Sequence, residues 1–195
     1  MTELAYPVAE LFPPQGQWTE ADYLALETNK FIELSNGRLE VLNMPSDLHQ
    51  VIVGRLFFAL ALFLKTHLLG RLRIAPLRVK LWADKFREPD LIFVTTAHVN
   101  RIHKTYWEAP DLAIEVISPD DPDRDYVTKK KEYAQAGILE YWIVDPEMKL
   151  VEAYDLAPET GDYPLRQTFA DNDVLTSTQL PGFELPILDL FAPEK

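Results

Sequence analysis

The chain has 195 residues, 47% of them hydrophobic, which suits one globular domain with a proper core. It has no cysteine, which excludes a disulfide framework and a thiolate metal site. The net charge of −12 argues against a polyanionic partner, but residues 51–131 hold 14 of the 19 basic side chains and 10 of the 31 acidic ones. This central segment could therefore face phosphate groups. The alternative, which charge alone favours, is a neutral middle between solvated acidic flanks.

The sequence contains no segment that predicts export or membrane insertion. The N-terminus lacks the basic region and apolar core of a signal peptide. The most apolar run, LFFALALFL (56–64), is far shorter than the ~20 residues that span a bilayer, so it predicts a buried helix. We therefore expect a cytoplasmic protein without a membrane partner.

Turn and cap residues predict the elements of the first third of the chain. Residues 1–17 are proline-rich and lack periodicity, which predicts an extended arm before a single domain over 18–195. A Thr cap predicts a short helix over 19–27. The pair Asn36-Gly37 predicts a hairpin over 31–42. Pro45 and Ser46 then predict the start of a long helix that runs to about Leu69 and is ended by Gly70.

Apolar runs predict a mixed sheet in the remainder. Strands are predicted over 73–82, 89–95, 111–118 and 140–146, and shorter antiparallel strands over 150–156, 165–170 and 183–187. A helix over 125–136 lies between two apolar strands, so these strands are predicted to be parallel neighbours. The predicted fold class is α/β (α+β-like), with a mixed central β-sheet flanked by helices.

Glu115 interrupts the strand over 111–118, whose other central residues are apolar. Burying a carboxylate is costly unless a cation or hydrogen-bond donors compensate it. Side chains alternate along a strand, so Glu115 and Asp90 would converge if their two strands were neighbours. Converging carboxylates repel unless one is protonated or a cation lies between them. Two carboxylates with a backbone carbonyl and water form the site that Mg²⁺ or Mn²⁺ prefers.

Each of these acids also has a structural interpretation. Asp90 follows Pro89 and could simply cap a turn. Glu115 could pair with an arginine such as Arg73 or Arg78, and such a buried ion pair would bind no metal.

Three segments resemble a known family: EPDLIFV (88–94), LAIEVISPD (112–120) and RDYVTKKKEYAQAGILEYWIVDP (124–146). They resemble the Uma-type endonucleases, a family abundant in cyanobacteria that belongs to the PD-(D/E)XK restriction-endonuclease-like superfamily. The similarity extends from FIELSNGRLE through PSDLHQ to YWIVDP, more than half of the chain. It implies a restriction-endonuclease-like fold and Mg²⁺-dependent hydrolysis of phosphodiester bonds in DNA.

The resemblance also implies roles for particular residues. Asp90 would be the motif aspartate and Glu115 the motif acid, both of them metal ligands, with the Val116 carbonyl as a third ligand. The usual pattern has a lysine two residues after the acid, where this chain has Ile117. In the family a lysine on the following helix is thought to substitute, and Lys129 matches that position.

Two further residues match recurrent positions of the family. Glu33 and His49 are expected to line the cleft, Glu33 as an accessory acid. The structural alternative for His49 is that it caps or packs the first turn of the long helix.

Helical spacing gives an expectation for the orientation of Lys129. It lies four residues after Asp125 and four before Tyr133, so the three form one stripe. The apolar residues after Tyr133 favour a stripe that packs toward the sheet, which would point Lys129 at Glu115. Tyr133 is then a cleft candidate, with core packing as its alternative. Lys130 and Lys131 are expected to turn away.

The predicted function is a DNA endonuclease that uses Mg²⁺ or Mn²⁺. A homodimer is favoured because symmetric cleavage of a duplex needs two sites. Further DNA contacts are expected within 51–131, from Arg71, Arg73, Lys85 and Arg87. The alternative is a non-catalytic nuclease-fold module that binds or regulates, which the acidic balance and the missing strand lysine favour.

Overall fold

The computed structural model describes residues 12–28, 30–118 and 120–193. The elements are α1 (Glu20–Ala25), β1 (Ile32–Ser35), β2 (Arg38–Val41), α2 (Asp47–Thr66), β3 (Gly70–Ile74), β4 (Val79–Trp82), β5 (Lys85–Arg87), β6 (Leu91–Thr95), a 3₁₀ helix (Thr96–Arg101), β7 (Trp107–Glu108), β8 (Leu112–Val116), a π-helix (Arg124–Lys129), α3 (Lys130–Gln135), β9 (Glu140–Asp145), β10 (Leu150–Asp155), β11 (Leu165–Ala170), β12 (Val174–Thr176), β13 (Glu184–Pro186) and α4 (Ile187–Leu190).

Six strands form the main sheet, in the order β11-β10-β9-β8-β6-β3. The central pair, β8 and β9, is parallel, and the other neighbours are antiparallel. The π-helix and α3 connect this parallel pair, as predicted, and Gly137 follows α3 with a positive φ of 77° that favours glycine. The predicted α/β class with a mixed sheet between helices is confirmed.

The two faces of the main sheet are covered by different helices. On one face α2 contributes Ile52, Val53, Leu56 and Leu60 to the largest apolar core. On the other face, Tyr133 of α3 packs beside Ala113 and Ile143. Alternate residues of β8 therefore point to different cores, which places Glu115 on the face of α3.

The long helix α2 begins where the sequence predicts and ends earlier. The Ser46 hydroxyl accepts a hydrogen bond from the His49 backbone, a helix cap. The predicted end at residue 69 is wrong, because α2 ends at Thr66 and Gly70 begins β3. A Cβ atom at Gly70 would lie 2.1 Å from the Val94 carbonyl oxygen, so the close approach of β3 and β6 requires glycine here.

By length and composition α2 could cross a membrane. In the structure one face of this helix lies in the core, whereas Phe58 and Leu62 on the opposite face are exposed. The predicted burial of this run therefore holds for one face of the helix.

A second sheet has the order β2-β1-β5-β4-β7. Its hairpin is confirmed, with positive φ at Asn36 and Gly37. The single strand predicted over 73–82 is wrong, because β3 and β4 belong to different sheets. Pro76 lies between them and lacks the N–H that a continuous ladder needs. The charged strand β5 has too little apolar pattern to be predicted.

The helix predicted over 125–136 is divided into the π-helix and α3. The predicted helix over 19–27 is present as the shorter α1, capped by Thr19. Residues 1–11 of the predicted arm lie outside the described residues. Farther along, the Gly16 N–H donates to the Gly37 carbonyl on the hairpin. The division into an arm and one domain stays a prediction.

Candidate active site

A cavity of about 330 Å³ lies where β6 begins and β8 ends, beside the first turn of α2 and the π-helix. Five of the residues singled out from the sequence line it: His49, Asp90, Glu115, Val116 and Lys129. Its other ionisable residues are mostly acidic: Glu88, Asp120, Asp121, Asp125 and Arg124. The cavity therefore concentrates negative charge around one buried lysine.

Strand register brings Asp90 and Glu115 together. The antiparallel pairing of Leu91 with Ile114 places the preceding Asp90 opposite the following Glu115. Asp90 Oδ2 accepts a hydrogen bond of 2.8 Å from the Val116 N–H and lies 3.1 Å from His49 Nε2. Asp90 thus binds the neighbouring strand and α2, not the turn at Pro89.

The Glu115 carboxylate is held by one neutral donor and one cation. Its Oε1 accepts a hydrogen bond of 2.5 Å from the Tyr133 hydroxyl, and its Oε2 lies 2.9 Å from Lys129 Nζ. Burial raises the pKa of Glu115 above its ordinary value, the Asp125 and Asp90 carboxylates act in the same direction, and Lys129 opposes them.

Neither arginine considered as a partner of Glu115 contacts it. Arg73 lies over the Trp107 ring, and Arg78 donates to the carbonyls of Leu24 and Leu26. The arginine pairing considered from the sequence is therefore wrong, and lysine takes that place.

The structure gives Lys129 the orientation expected from the helical stripe. Its side chain is 6% exposed, with Nζ 2.9 Å from both Glu115 Oε2 and Asp125 Oδ1. These carboxylates outweigh burial and raise the pKa of Lys129, so its amine stays protonated. Lys131 is exposed, and Lys130 is half-buried over the Tyr154 ring at 3.7 Å. The three lysines therefore differ in where their side chains point. The catalytic role of Lys129 stays a prediction.

A model of the Uma2 family, described as putative restriction endonuclease, matches residues 20–188. The chain belongs to this family. A crystal structure of a putative nuclease belonging to DUF820, from Anabaena variabilis, superposes on it with a TM-score of 0.73. The two chains are 21% identical, and the match covers 89% of this chain and 97% of that one. Comparison with curated proteins gave no match.

Membership of the Uma2 family agrees with the resemblance seen in the sequence, and the superposition shows that the fold is shared. The roles of individual residues remain predictions that the geometry can support. In the fold, the segments that resemble the Uma-type family bring Asp90 and Glu115 opposite each other at the cavity.

Asp125 is a third carboxylate at the cavity, and it was not among the site residues predicted from the sequence. It is buried in the cavity wall, and its Oδ1 lies 2.9 Å from Lys129 Nζ, the ammonium that Glu115 also contacts. Burial raises its pKa above the ordinary value, against the effect of Lys129. The signal was available, since Asp125 lies on the same helical stripe as Lys129 and Tyr133.

Neither Glu33 nor Tyr133 lines the cavity, so the expectation that Glu33 lines the cleft is wrong. The Tyr133 ring is fully buried in the core, and its hydroxyl donates to Glu115 at the site. Tyr133 therefore combines the two roles considered for it, core packing and a contact at the cleft. Glu33 is fully buried and binds Arg87 and Arg124. Burial alone would raise the pKa of Glu33, but the nearby cations Lys129, Arg87 and Arg124 lower it to about 2.

Two of the predicted DNA contacts are wrong. Lys85 and Arg87 are buried, and both pair with Glu132. These ion pairs join segments far apart in the sequence, so the sequence pattern gave no sign of them. Arg71 and Arg73 are exposed on the edge strand β3 and stay candidates.

The donor set at the cavity suits a hard divalent cation. Among the described residues, no three His, Asp or Glu side chains are already arranged as metal ligands. However, Glu115 and Asp125 share the single Lys129 ammonium and Asp90 lies opposite Glu115, so carboxylates outnumber the ammonium at this site. An excess of carboxylate oxygen in a buried site is the chemistry that Mg²⁺ and Mn²⁺ use.

Proposed function

We propose that this Uma2-family chain is a nuclease that hydrolyses phosphodiester bonds in DNA with the help of Mg²⁺ or Mn²⁺. The observation that carries the proposal is the convergence of Asp90, Glu115 and the buried Lys129 in one cavity. Families of this fold class commonly hold a divalent cation between such acids, and the excess of negative charge here favours one.

The proposed ligands are the carboxylates of Asp90 and Glu115 and the backbone carbonyl of Val116, with Asp125 close enough to contribute. When bound, the cation would act as a Lewis acid on the phosphate and make a water molecule easier to deprotonate. The residues around it fix the acids. His49 and the Val116 N–H hold Asp90, while the Tyr133 hydroxyl holds Glu115.

Lys129 supplies the cation that the strand lacks at Ile117. Its ammonium lies at the cavity wall and cannot easily be neutralised, because its carboxylate neighbours raise its pKa. A fixed positive charge beside a reacting phosphate stabilises the negative charge that develops on the phosphate in the transition state. Lys129 would therefore act on the transition state rather than on metal binding.

DNA approach requires positive surface outside the acidic cavity. Arg71 and Arg73 are exposed on β3, whose end reaches the cavity at Ile74. Binding through such residues displaces counterions, so affinity should fall steeply as salt rises. Replacing Arg71 and Arg73 together by alanine should reduce the slope of log affinity against log salt by about one per lost phosphate contact, which fluorescence anisotropy can measure. Replacing the distant, exposed Lys149 by alanine should leave the slope unchanged.

The direct test is nicking of supercoiled plasmid with Mg²⁺, with Mn²⁺ and with a chelator. The proposal expects nicking only when the metal is present. Calorimetric titration with Mn²⁺ should detect binding that Glu115→Gln removes and that Asp121→Asn, an exposed acid at the rim, retains. Absence of both metal binding and nicking would contradict the proposal.

A non-catalytic binding or regulatory module is the second candidate function. The observation that favours it is the ion pair of Lys129 with Glu115 and Asp125, since it compensates these acids without a metal. This candidate expects salt-dependent DNA binding that persists in chelator, with no nicking under any metal.

A further inference from the structure

The outer face of α2 is apolar and uncovered in the described part of the chain. Gly54, Phe58 and Leu62 follow one another at intervals of four residues, so they form one stripe along the helix. Phe58 is 68% exposed and Leu62 is 58% exposed. Isolated exposed apolar residues are ordinary, but a continuous stripe on a long helix indicates a contact surface.

A groove extends this surface beside α2. It has a volume of about 680 Å³ and lies between α2 and the segment formed by β13 and α4. Leu185 and Pro186 line it, and Leu188 on α4 is exposed nearby. We call the outer stripe of α2 together with this groove the α2 face. It presents protruding apolar side chains beside a recess, and a self-complementary contact between two copies requires both.

Gly54 is unexplained by the chain on its own. It lies in the interior of a 20-residue helix, where glycine is about 1 kcal/mol less favourable than alanine. Its φ is not positive, and a Cβ atom there would meet no described atom within 4 Å. A glycine at such a position permits another backbone to approach the helix closely.

The charges that border the α2 face favour a second copy of the chain. Lys65 lies on α2 and Arg55 spans the groove, where its guanidinium donates to the carbonyls of Leu190 and Ala192, whereas Glu184 and Asp189 lie on the far side of the groove. A chain with a net charge of −12 repels its own copies, so contact is easiest where the charge is locally balanced. A two-fold axis would bring the exposed Lys65 of one copy toward Glu184 and Asp189 of the other. An anionic membrane would instead be repelled by the two acids.

We propose that two copies of this chain associate through the α2 face, with the two α2 helices crossing near Gly54 and Phe58. The helix is about 30 Å long, and because a stable interface buries about 800 Å² per partner, the contact is expected to include the adjoining groove as well as the helix stripe. The groove shares no lining residue with the cavity, and the association does not depend on the proposed nuclease function.

Sedimentation equilibrium of the full chain tests the association. The wild-type mass should be twice that of the single chain, and Phe58→Asp should reduce it to the single-chain mass while the circular dichroism spectrum is unchanged. Met148→Asp is the matched control, because Met148 is 69% exposed on the turn between β9 and β10. A single-chain mass for the wild type, or a double mass for Phe58→Asp, would overturn the proposal.

The absence of native cysteine allows the contact to be located. Gly54→Cys and Phe58→Cys, made separately, should yield at least one disulfide-linked dimer on oxidation, since a disulfide needs Cα atoms within about 7 Å. Met148→Cys should not. A wild-type dimer without either cross-link would overturn the crossing of the α2 helices. Flotation of a single-chain wild type with vesicles of anionic phospholipid would assign the face to lipid instead.

Discussion

Two groups of buried charge lie side by side in this molecule, and they differ in balance. The cavity cluster has three acids and one base: Asp90, Glu115, Asp125 and Lys129. The paired network behind it has three acids and three bases: Glu33, Glu40, Glu132, Lys85, Arg87 and Arg124. The members of both groups are buried or half-buried, so burial alone does not identify a functional site.

In the paired network each carboxylate meets at least one guanidinium or ammonium. Arg87 Nη1 lies 2.6 Å from Glu33 and 2.6 Å from Glu40, while its Nε lies 2.7 Å from Glu132. These contacts join the hairpin sheet to α3, and Arg124 joins it to the π-helix. In the cavity cluster one ammonium lies between Glu115 and Asp125, while Asp90 contacts the His49 ring and the Val116 N–H. The network joins distant elements of the fold, whereas the excess of carboxylate over ammonium in the cavity cluster is the feature on which the proposed metal site depends.

The largest expected effect separates the two groups by activity. Asp90→Asn and Glu115→Gln keep the shape of each side chain and remove its charge, so each should abolish metal-dependent nicking and Mn²⁺ binding. Both variants should keep a melting temperature close to that of the wild type in metal-free buffer, because they reduce repulsion among acids. Plasmid nicking and differential scanning calorimetry measure the two effects. Full activity in either variant would remove that acid from the site.

The next effect should appear in stability. Arg87→Met leaves Glu33 buried with one arginine fewer and frees Glu132 from its closest guanidinium. Removing one member of a buried ion-pair group costs about 3–5 kcal/mol of unfolding free energy. Urea unfolding measures this loss, with the exposed Lys131→Met as the control that should stay within about 0.5 kcal/mol of wild type. A loss below 1 kcal/mol for Arg87→Met would mean that the network does not carry stability.

A smaller change in rate is expected at Lys129. Lys129→Met should slow nicking at least ~100-fold, as loss of an electrostatic donor to the transition state does. Affinity for Mn²⁺ should not fall, since Lys129 competes with the metal for Glu115 and Asp125. For the same reason Mn²⁺ should raise the melting temperature of this variant more than that of the wild type.

The neighbouring lysines sharpen the test of Lys129. Lys130→Ala and Lys131→Ala should nick DNA at nearly the wild-type rate, because Lys130 covers Tyr154 and Lys131 faces solvent. Equal losses for all three lysines would reduce the cluster to a general phosphate-binding patch.

The smallest effect concerns acid stability. The pKa of Glu33 is lowered to about 2 in the folded chain from an ordinary value of 4.5. The carboxylate therefore stabilises the fold fully above pH 4.5, and this contribution is lost as the pH falls toward 2. Urea midpoints measured between these pH values should decline less in Glu33→Gln than in the wild type. Parallel declines would show that Glu33 is not held by its cations.

Much of the site followed from local pattern. Alternation along two strands predicts that Asp90 and Glu115 converge, and i, i+4 spacing predicts that Lys129 faces them. The hairpin followed from Asn36-Gly37, because two residues with positive φ leave few other choices. These features depend on residues close in sequence, or on two strands being neighbours in the sheet.

What could not be predicted depends on distant contacts. Local sequence predicts that Lys85 and Arg87 are exposed. They are buried because α3 and the hairpin pack against them. The chain breaks between β3 and β4 because each strand joins a different sheet, although Pro76 between them was a sequence signal for such a break. The π-helix itself could not be predicted, because its hydrogen bonds leave no mark in composition, whereas the place of Asp125 was available from the stripe that it shares with Lys129 and Tyr133.

The π-helix makes this corner of the molecule sensitive to chain length rather than to side-chain identity. Bonds from residue i to i+5 enclose one residue more per turn than those of an α-helix. Val127 within it is 61% exposed, so substitutions there should be tolerated. Deleting Val127 would let the turn close as an α-helix and rotate Asp125 and Arg124 by about 100° relative to α3. A single lost codon on the surface would thereby dismantle the cavity cluster and the paired network together.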